Sequence, residues 1–211
     1  MIILLFGRAG SGKSTLAEKI AQLVEARIFS GGKVIRNAAQ DPSNNFHHQA
    51  KEIAEGLRSA APRGLLEIQV KMELKSYVSG KFEVLIFDNY LHSLDQVNHF
   101  KACIDELEIA YEKVKGVELC AQVDEIVKRL SGGMFCPACN QRYGSIAICP
   151  RCHTELVSRQ DDSTDRAIRN RARRYDSYIP GILSYFEQHW ELLRTQEFRT
   201  SDIQRLLDKA P

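Results

Sequence analysis

Short, wholly apolar runs alternate along the chain with longer stretches in which apolar residues recur every three or four positions. Met1 to Phe6 is apolar throughout and stops at Gly7, which predicts a short buried strand. From Ser14 onward, Leu16, Ile20, Leu23 and Val24 fall on one face of a helix. Arg27 to Phe29 reads as a second short strand. Residues 30–80 read as mostly helical, with polar breaks at Asp41 to Asn45 and at Ala61 to Gly64. Val84 to Phe87 is a further apolar run, ended by Asp88, and Val97, Phe100, Ile104 and Leu107 follow at helical spacing. Val117 to Ala121 reads as a fourth strand, before a helix carrying Val123, Ile126, Val127 and Leu130 on one side. Ser163 to Trp190 is again helical in pattern, with a break expected near Pro180-Gly181, and Leu192 to Thr195 reads as the last strand.

Strands alternating with amphipathic helices imply an α/β fold: about five parallel strands, helices on both faces, and right-handed crossovers. In such a fold ligands gather at the carboxyl ends of the strands. The 211 residues suffice for one core with small inserted lobes. Apolar residues at 44% and charged residues at 27% fit an ordinary folded protein. A net charge of +2 excludes the bulk positive field that drives non-specific nucleic-acid binding. No apolar run reaches membrane-spanning length, and the opening IILLF is too short for a signal peptide and lacks its basic flank. A cytoplasmic location is therefore expected, in which the six cysteines serve as thiols or metal ligands.

Gly7-Arg8-Ala9-Gly10-Ser11-Gly12-Lys13-Ser14, followed by Thr15, has the full spacing of a phosphate-binding P-loop, set between an apolar strand and an amphipathic helix. Its glycines permit the tight turn that aims backbone N–H groups at phosphate oxygens. The helix start adds the positive end of its dipole. Lys13 is expected to reach the β and γ phosphates of ATP, and the Ser14 hydroxyl to help hold Mg²⁺. Asp88, ending its own strand, emerges at the same sheet edge and can hold that metal directly or through water.

Cys136-Pro-Ala-Cys139 and Cys149-Pro-Arg-Cys152 are two C-x2-C pairs. Each turn points two thiolates at one spot, and together they close a four-thiolate site suited to Zn²⁺. A turn at Tyr143-Gly144-Ser145 lets the segment fold back on itself. With no open coordination position, that zinc is structural. Cys103 and Cys120 read as small core residues. His47-His48 reads as surface, and the run of arginines at 166, 169, 171, 173 and 174 as a solvated helix face lending one or two cations to a phosphate site.

Taken together, the chain resembles the adenylate kinase family of nucleoside monophosphate kinases, in its long form with a zinc-bearing lid. The resemblance rests on GRAGSGKST at 7–15, SGGKVIR at 30–36, FDNYLHSLDQ at 87–96, KRLSGG at 128–133, the cysteine module, and RQDD at 159–162. It implies a P-loop core of residues 1–29, 65–130 and 163–211, a monophosphate-binding lobe at 30–64 and a lid at 131–162. It further implies transfer of the γ-phosphoryl of ATP–Mg to a nucleoside monophosphate, with AMP indicated by Gln96, whose place in the family reads adenine. Gly31 and Arg36 belong to the monophosphate site, Arg129 lies against ATP, and Arg159 reaches the phosphates as the lid closes. A further arginine is expected on the next helix, where spacing points at Asn170 and a one-residue shift at Arg171.

Two positions depart from the family pattern. His92 stands where a phosphate-binding arginine is expected, and Gly133 where the lid's opening motif carries another. Arg8, Lys33, Arg142 and Arg151 are nearby replacements, and His92 would supply part of the missing charge if protonated. The resemblance implies a monomer with no membrane and no nucleic-acid partner. The residues also admit a CMP- or UMP-type kinase, a catalytically weak nucleotide-binding homologue, and a nucleic-acid-binding ATPase with a zinc knuckle.

Overall fold

The computed structural model describes residues 1–54, 64–139, 142–144, 146–158 and 164–208. Five parallel strands form the main sheet: β1 (Ile2–Gly7), β2 (Ala26–Ser30), β3 (Val84–Asp88), β4 (Val114–Leu119) and, after two short strands described below, β7 (Glu191–Thr195), in the order β2-β3-β1-β4-β7. β1 lies at the centre, so every residue from Ile2 to Gly7 is buried. Its side chains divide by the pleat. Ile2, Leu4 and Phe6 enter one core, while Ile3 and Leu5 enter the other.

The first core is roofed by α4 (Glu67–Val78), α5 (Leu94–Glu106) and α7 (Asp165–Glu187). The second is covered by α1 (Lys13–Ala21) and α8 (Thr200–Asp208), through Leu16, Ile20, Ile203 and Leu206. Between β2 and α4 the chain makes α2 (Gly31–Gln40) and α3 (His47–Ala54), which pack together through Ala38, Ala50 and Leu65. After β4 come α6 (Val123–Leu130) and the antiparallel strands β5 (Met134–Phe135) and β6 (Arg142–Tyr143). Bridges from Phe135 to Val157 and from Ile148 to Glu155 tie this small unit together.

Four details differ from the sequence reading. α7 runs unbroken through Pro180-Gly181. Proline there cannot bond to the carbonyl one turn earlier, but Ile179, Ile182, Leu183 and Phe186 bury around it and hold the helix on the sheet. β4 begins three residues earlier than expected, at Val114, with Gly116 close against Phe6, Phe186 and Leu192. Leu23 lies beyond the end of α1 and is exposed. Helix α8 was not anticipated. The expected break at Ala61 to Gly64 lies outside the described residues, apart from Gly64, as does Ser145 of the expected lid turn.

Candidate nucleotide site and cysteine module

The strand register sets the site. Leu5 of β1 and Ser30 of β2 both stand opposite Asp88 of β3, so three parallel strands end together beside the loop that follows β1. Gly7, Gly10 and Gly12 take φ of 137°, 82° and 101°, a region closed to residues with a Cβ at little cost. At Gly7 the space is also filled: a Cβ would stand 2.7 Å from the Leu119 carbonyl oxygen. Gly12 caps α1, whose first residues Lys13, Ser14 and Thr15 line a cavity of about 450 Å³.

Six basic side chains line this cavity (Lys13, Lys33, Arg36, Arg129, Arg142 and Arg171) against two acidic ones, Glu18 and Asp88. That concentration of positive charge beside a helix N-terminus suits a polyphosphate. Lys13 Nζ donates to the carbonyl oxygens of Gly7 (2.7 Å) and Arg8 (2.9 Å). Burial lowers the Lys13 pKa to about 8, against the pull of the Asp88 carboxylate and with the Arg171 charge adding to the drop. Arg36 is likewise lowered to about 10 by burial, then by Arg171, with Asp88 opposing. Its guanidinium lies 5.3 Å over the Phe135 ring, which brings the β5 segment against α2.

Ser14 Oγ donates to Asp88 Oδ2 at 2.7 Å. The other carboxylate oxygen, Asp88 Oδ1, is buried with no hydrogen-bond partner among the described residues. An acceptor left unsatisfied there is costly unless a cation takes it up, so this hydroxyl–carboxylate pair fits Mg²⁺.

His92 and Gln96 do not line the cavity. They form their own unit at the start of α5, where the Gln96 Oε1 accepts from the His92 backbone N–H at 2.7 Å. His92 Nδ1 lies 2.7 Å from the Tyr178 hydroxyl on α7. Burial, above all, lowers the His92 pKa to about 4, with Lys13 and Arg171 adding to the drop and a hydrogen bond to the Asn89 backbone opposing it. The sequence left the charge of His92 open; burial first, and the Lys13 and Arg171 charges second, keep the imidazole neutral near pH 7, so it does not supply the missing positive charge. Tyr178 gave no signal in the sequence, since it meets His92 across 86 residues.

The remaining predicted residues sort clearly. Arg171 lines the cavity, whereas Asn170 is exposed and Arg169 pairs with Asp124 at 2.7 Å. Arg129 reaches the cavity from α6 and lies 3.5 Å from Glu125. Gly31 is buried beneath the Asn89 carbonyl oxygen, which would stand 2.5 Å from any Cβ there. Ser11 is buried in the loop. Arg159 lies outside the described residues. Among the candidate substitutes, Lys33 and Arg142 face the cavity. Arg8 turns away, donating to Asp176 (2.8 Å) and to the Ala121 carbonyl (2.9 Å), and Arg151 is exposed. A larger groove of about 680 Å³ between α7, β4 and β7 also contains Arg8 and Arg194. Both are already paired with carboxylates, Arg8 with Asp176 and Arg194 with Glu118 and Glu187, so the groove offers no free positive charge to a phosphate.

In the cysteine module Cys136 and Cys152 Sγ lie 3.3 Å apart, Cys139 and Cys149 Sγ 3.6 Å apart, and all four within 4.8 Å of one another. A tetrahedral zinc with bonds of about 2.3 Å spaces its thiolates by about 3.8 Å, so the four sulfurs fit that ion. The Cys139 backbone N–H donates to Cys136 Sγ, and the Tyr143 and Thr154 hydroxyls lie 3.4 and 3.3 Å from Cys149 and Cys152 Sγ. These are the contacts expected around coordinated sulfur. Cys103 is buried on α5, as expected, and Cys120 is only half-buried. No helix among the described residues is long and apolar enough to cross a membrane.

No family model matches the chain. Among curated proteins it is similar to the adenylate kinase of Petrotoga mobilis, 27% identical over 203 residues, covering 92% of this chain and 88% of the relative. The adenylate kinase of Mesoplasma florum is 28% identical over 195 residues, covering 89% and 87%. That of Dehalococcoides mccartyi is 28% identical over 203 residues, covering 90% and 88%.

Proposed function

We infer the reaction from what the chain is, an adenylate-kinase-like phosphotransferase that resembles the adenylate kinase family along about nine-tenths of its length. It is a nucleoside monophosphate kinase, and we propose that it transfers the γ-phosphoryl group of ATP–Mg to AMP, giving two ADP. The observation that carries this reading is the pairing of Ser14 with Asp88, one carboxylate oxygen left open, at the rim of a cavity rich in lysine and arginine.

In this reading the N–H groups of Gly10, Ser11, Gly12 and the first turn of α1 wrap the ATP phosphates. Lys13 exchanges its two carbonyl partners for β and γ oxygens. Ser14 and Asp88 are the residues that would hold Mg²⁺, which when bound neutralises charge shared between those oxygens. Arg129 lies against ATP. Arg171 and Arg36 face the phosphoryl group and the acceptor phosphate, with Arg159 arriving from the lid by resemblance. The transition state is loose and needs alignment and positive charge more than covalent help, so no general base is assigned. Gln96 reads the adenine edge with its amide, and His92 takes part as a neutral hydrogen-bonding group.

Residues 30–64 act as the monophosphate lobe and 131–162 as the lid, on a core of 1–29, 65–130 and 163–211. The four cysteines would hold a structural zinc. Closure of the lid excludes water and so protects ATP from hydrolysis. By resemblance to the family, the protein acts as a monomer.

The test of acceptor choice is initial rates with ATP–Mg and AMP, CMP, UMP or GMP in turn, for the wild type and Gln96→Leu. The reading expects AMP to be preferred, with Gln96→Leu raising the KM for AMP by about tenfold, the scale of one lost buried hydrogen bond. A preference for CMP or UMP would replace AMP as the acceptor. Turnover near background with every monophosphate, despite normal ATP binding, would identify a weak nucleotide-binding homologue instead.

A further inference from the structure

Gly133 and Arg142 occupy one space. The two residues lie on opposite sides of the small β5–β6 unit, Gly133 just before β5 and Arg142 opening β6, where it pairs in register with Phe135. A Cβ placed on Gly133 would stand 2.9 Å from Arg142 Nη1, inside contact distance. That guanidinium nitrogen is shielded from solvent, and Arg142 lines the same cavity as Lys13, Asp88 and Arg171. The position that lacks a side chain is therefore filled by the arginine arriving from the neighbouring strand.

We propose, on the basis of the kinase reading above, that Arg142 is a phosphate-binding residue of this site, and that Gly133 is a glycine because its missing side chain is the berth of the Arg142 guanidinium. Gly133 does not have the left-handed backbone that forces glycine elsewhere in this chain, so conformation does not explain it. The close approach does. The cysteine module then has a task beyond holding the lid together. Cys139 lines the same cavity and precedes Arg142 by three residues, so the four-sulfur cluster fixes the strand from which the arginine projects. Arginine suits this role because its planar fork grips a phosphate through two parallel hydrogen bonds, which a lysine at the same place does not provide.

The experiment uses zinc-loaded full-length protein, with zinc content measured for every variant so that a damaged lid is recognised. Arg142→Gln keeps most of the side-chain bulk without the charge. It is expected to lower kcat by about 10²-fold or more, the scale for removing one transition-state donor, and to weaken ATP–Mg binding. Arg142→Lys recovers only part. Gly133→Ala, whose Cβ meets the movable end of Arg142 first, lowers kcat while melting within a few degrees of wild type. Gly133→Arg restores part of the activity to Arg142→Gln, because it returns a guanidinium to the same side of the cavity. Rates and ATP affinities within twofold of wild type for zinc-replete Arg142→Gln would overturn the proposal. If the wild type bound ATP without turnover, the kinase reading alone would fall. The ATP affinity of Arg142→Gln would still decide whether Arg142 grips phosphate.

Discussion

Lys13 carries the central residue-scale argument. Its ammonium is buried, its pKa is lowered to about 8 mainly by that burial, and its donors are parked on two loop carbonyls. The unfolded chain holds the same proton up to about 10.5. Between these values the unfolded state binds more protons, so this group's contribution to stability rises with pH across the window, and the burial cost is present in full below it. Phosphate binding needs the charged form. ATP affinity should therefore weaken as pH rises through about 8, becoming about tenfold weaker by pH 9, with proton uptake on binding above pH 8. Calorimetric titration in two buffers of different ionisation enthalpy measures both. A dissociation constant unchanged from pH 7 to 9 would contradict the role given to Lys13. His92, lowered to about 4, should add no step between pH 5 and 7.

At the scale of elements, the fold was legible wherever apolar periodicity was strong and local. β1, β3, α5 and α6 lie where continuous apolar runs and helical spacing put them: both strands are buried throughout, and α5 buries Val97, Phe100 and Ile104 as α6 buries Ile126, Val127 and Leu130. α7 was misread as broken because the sequence displays the proline's local cost and hides the packing of Ile179, Ile182 and Phe186 that outweighs it. The P-loop and the cysteine pairs were legible because their chemistry is encoded in contiguous spacing. The His92–Tyr178 and Gly133–Arg142 contacts were not, because they depend on how separate elements are set against one another. The cysteine module belongs to this scale too. Among the described residues its buried interior is Phe135, Cys136, Cys149 and Leu156, too small a core to stand without help. Removing zinc by chelation, or replacing Cys149 with Ser, should lower the melting temperature and kcat while ATP still binds the P-loop. A melting curve unaffected by chelation would exclude a structural metal.

Across the whole molecule, a net charge of +2 coexists with a cavity lined by six cationic and two acidic side chains. Positive charge outweighs negative at the carboxyl edge of the sheet while the chain as a whole is near neutral, which favours a compact polyphosphate over a nucleic-acid backbone. The parts that surround this edge come from segments far apart in the chain: the loop after β1, α2, the end of β3, α6, the β5–β6 unit and α7. With Arg36 against Phe135, α2 and the β5 segment meet at one of the cavity's cationic side chains. The most direct measurement is ADP formation from ATP, Mg²⁺ and AMP by zinc-loaded wild type beside Lys13→Ala. The account predicts steady production of two ADP per AMP consumed by the wild type, reduced by about 10²-fold or more in Lys13→Ala. ADP formation that is independent of AMP, or equal in the two proteins, would contradict it.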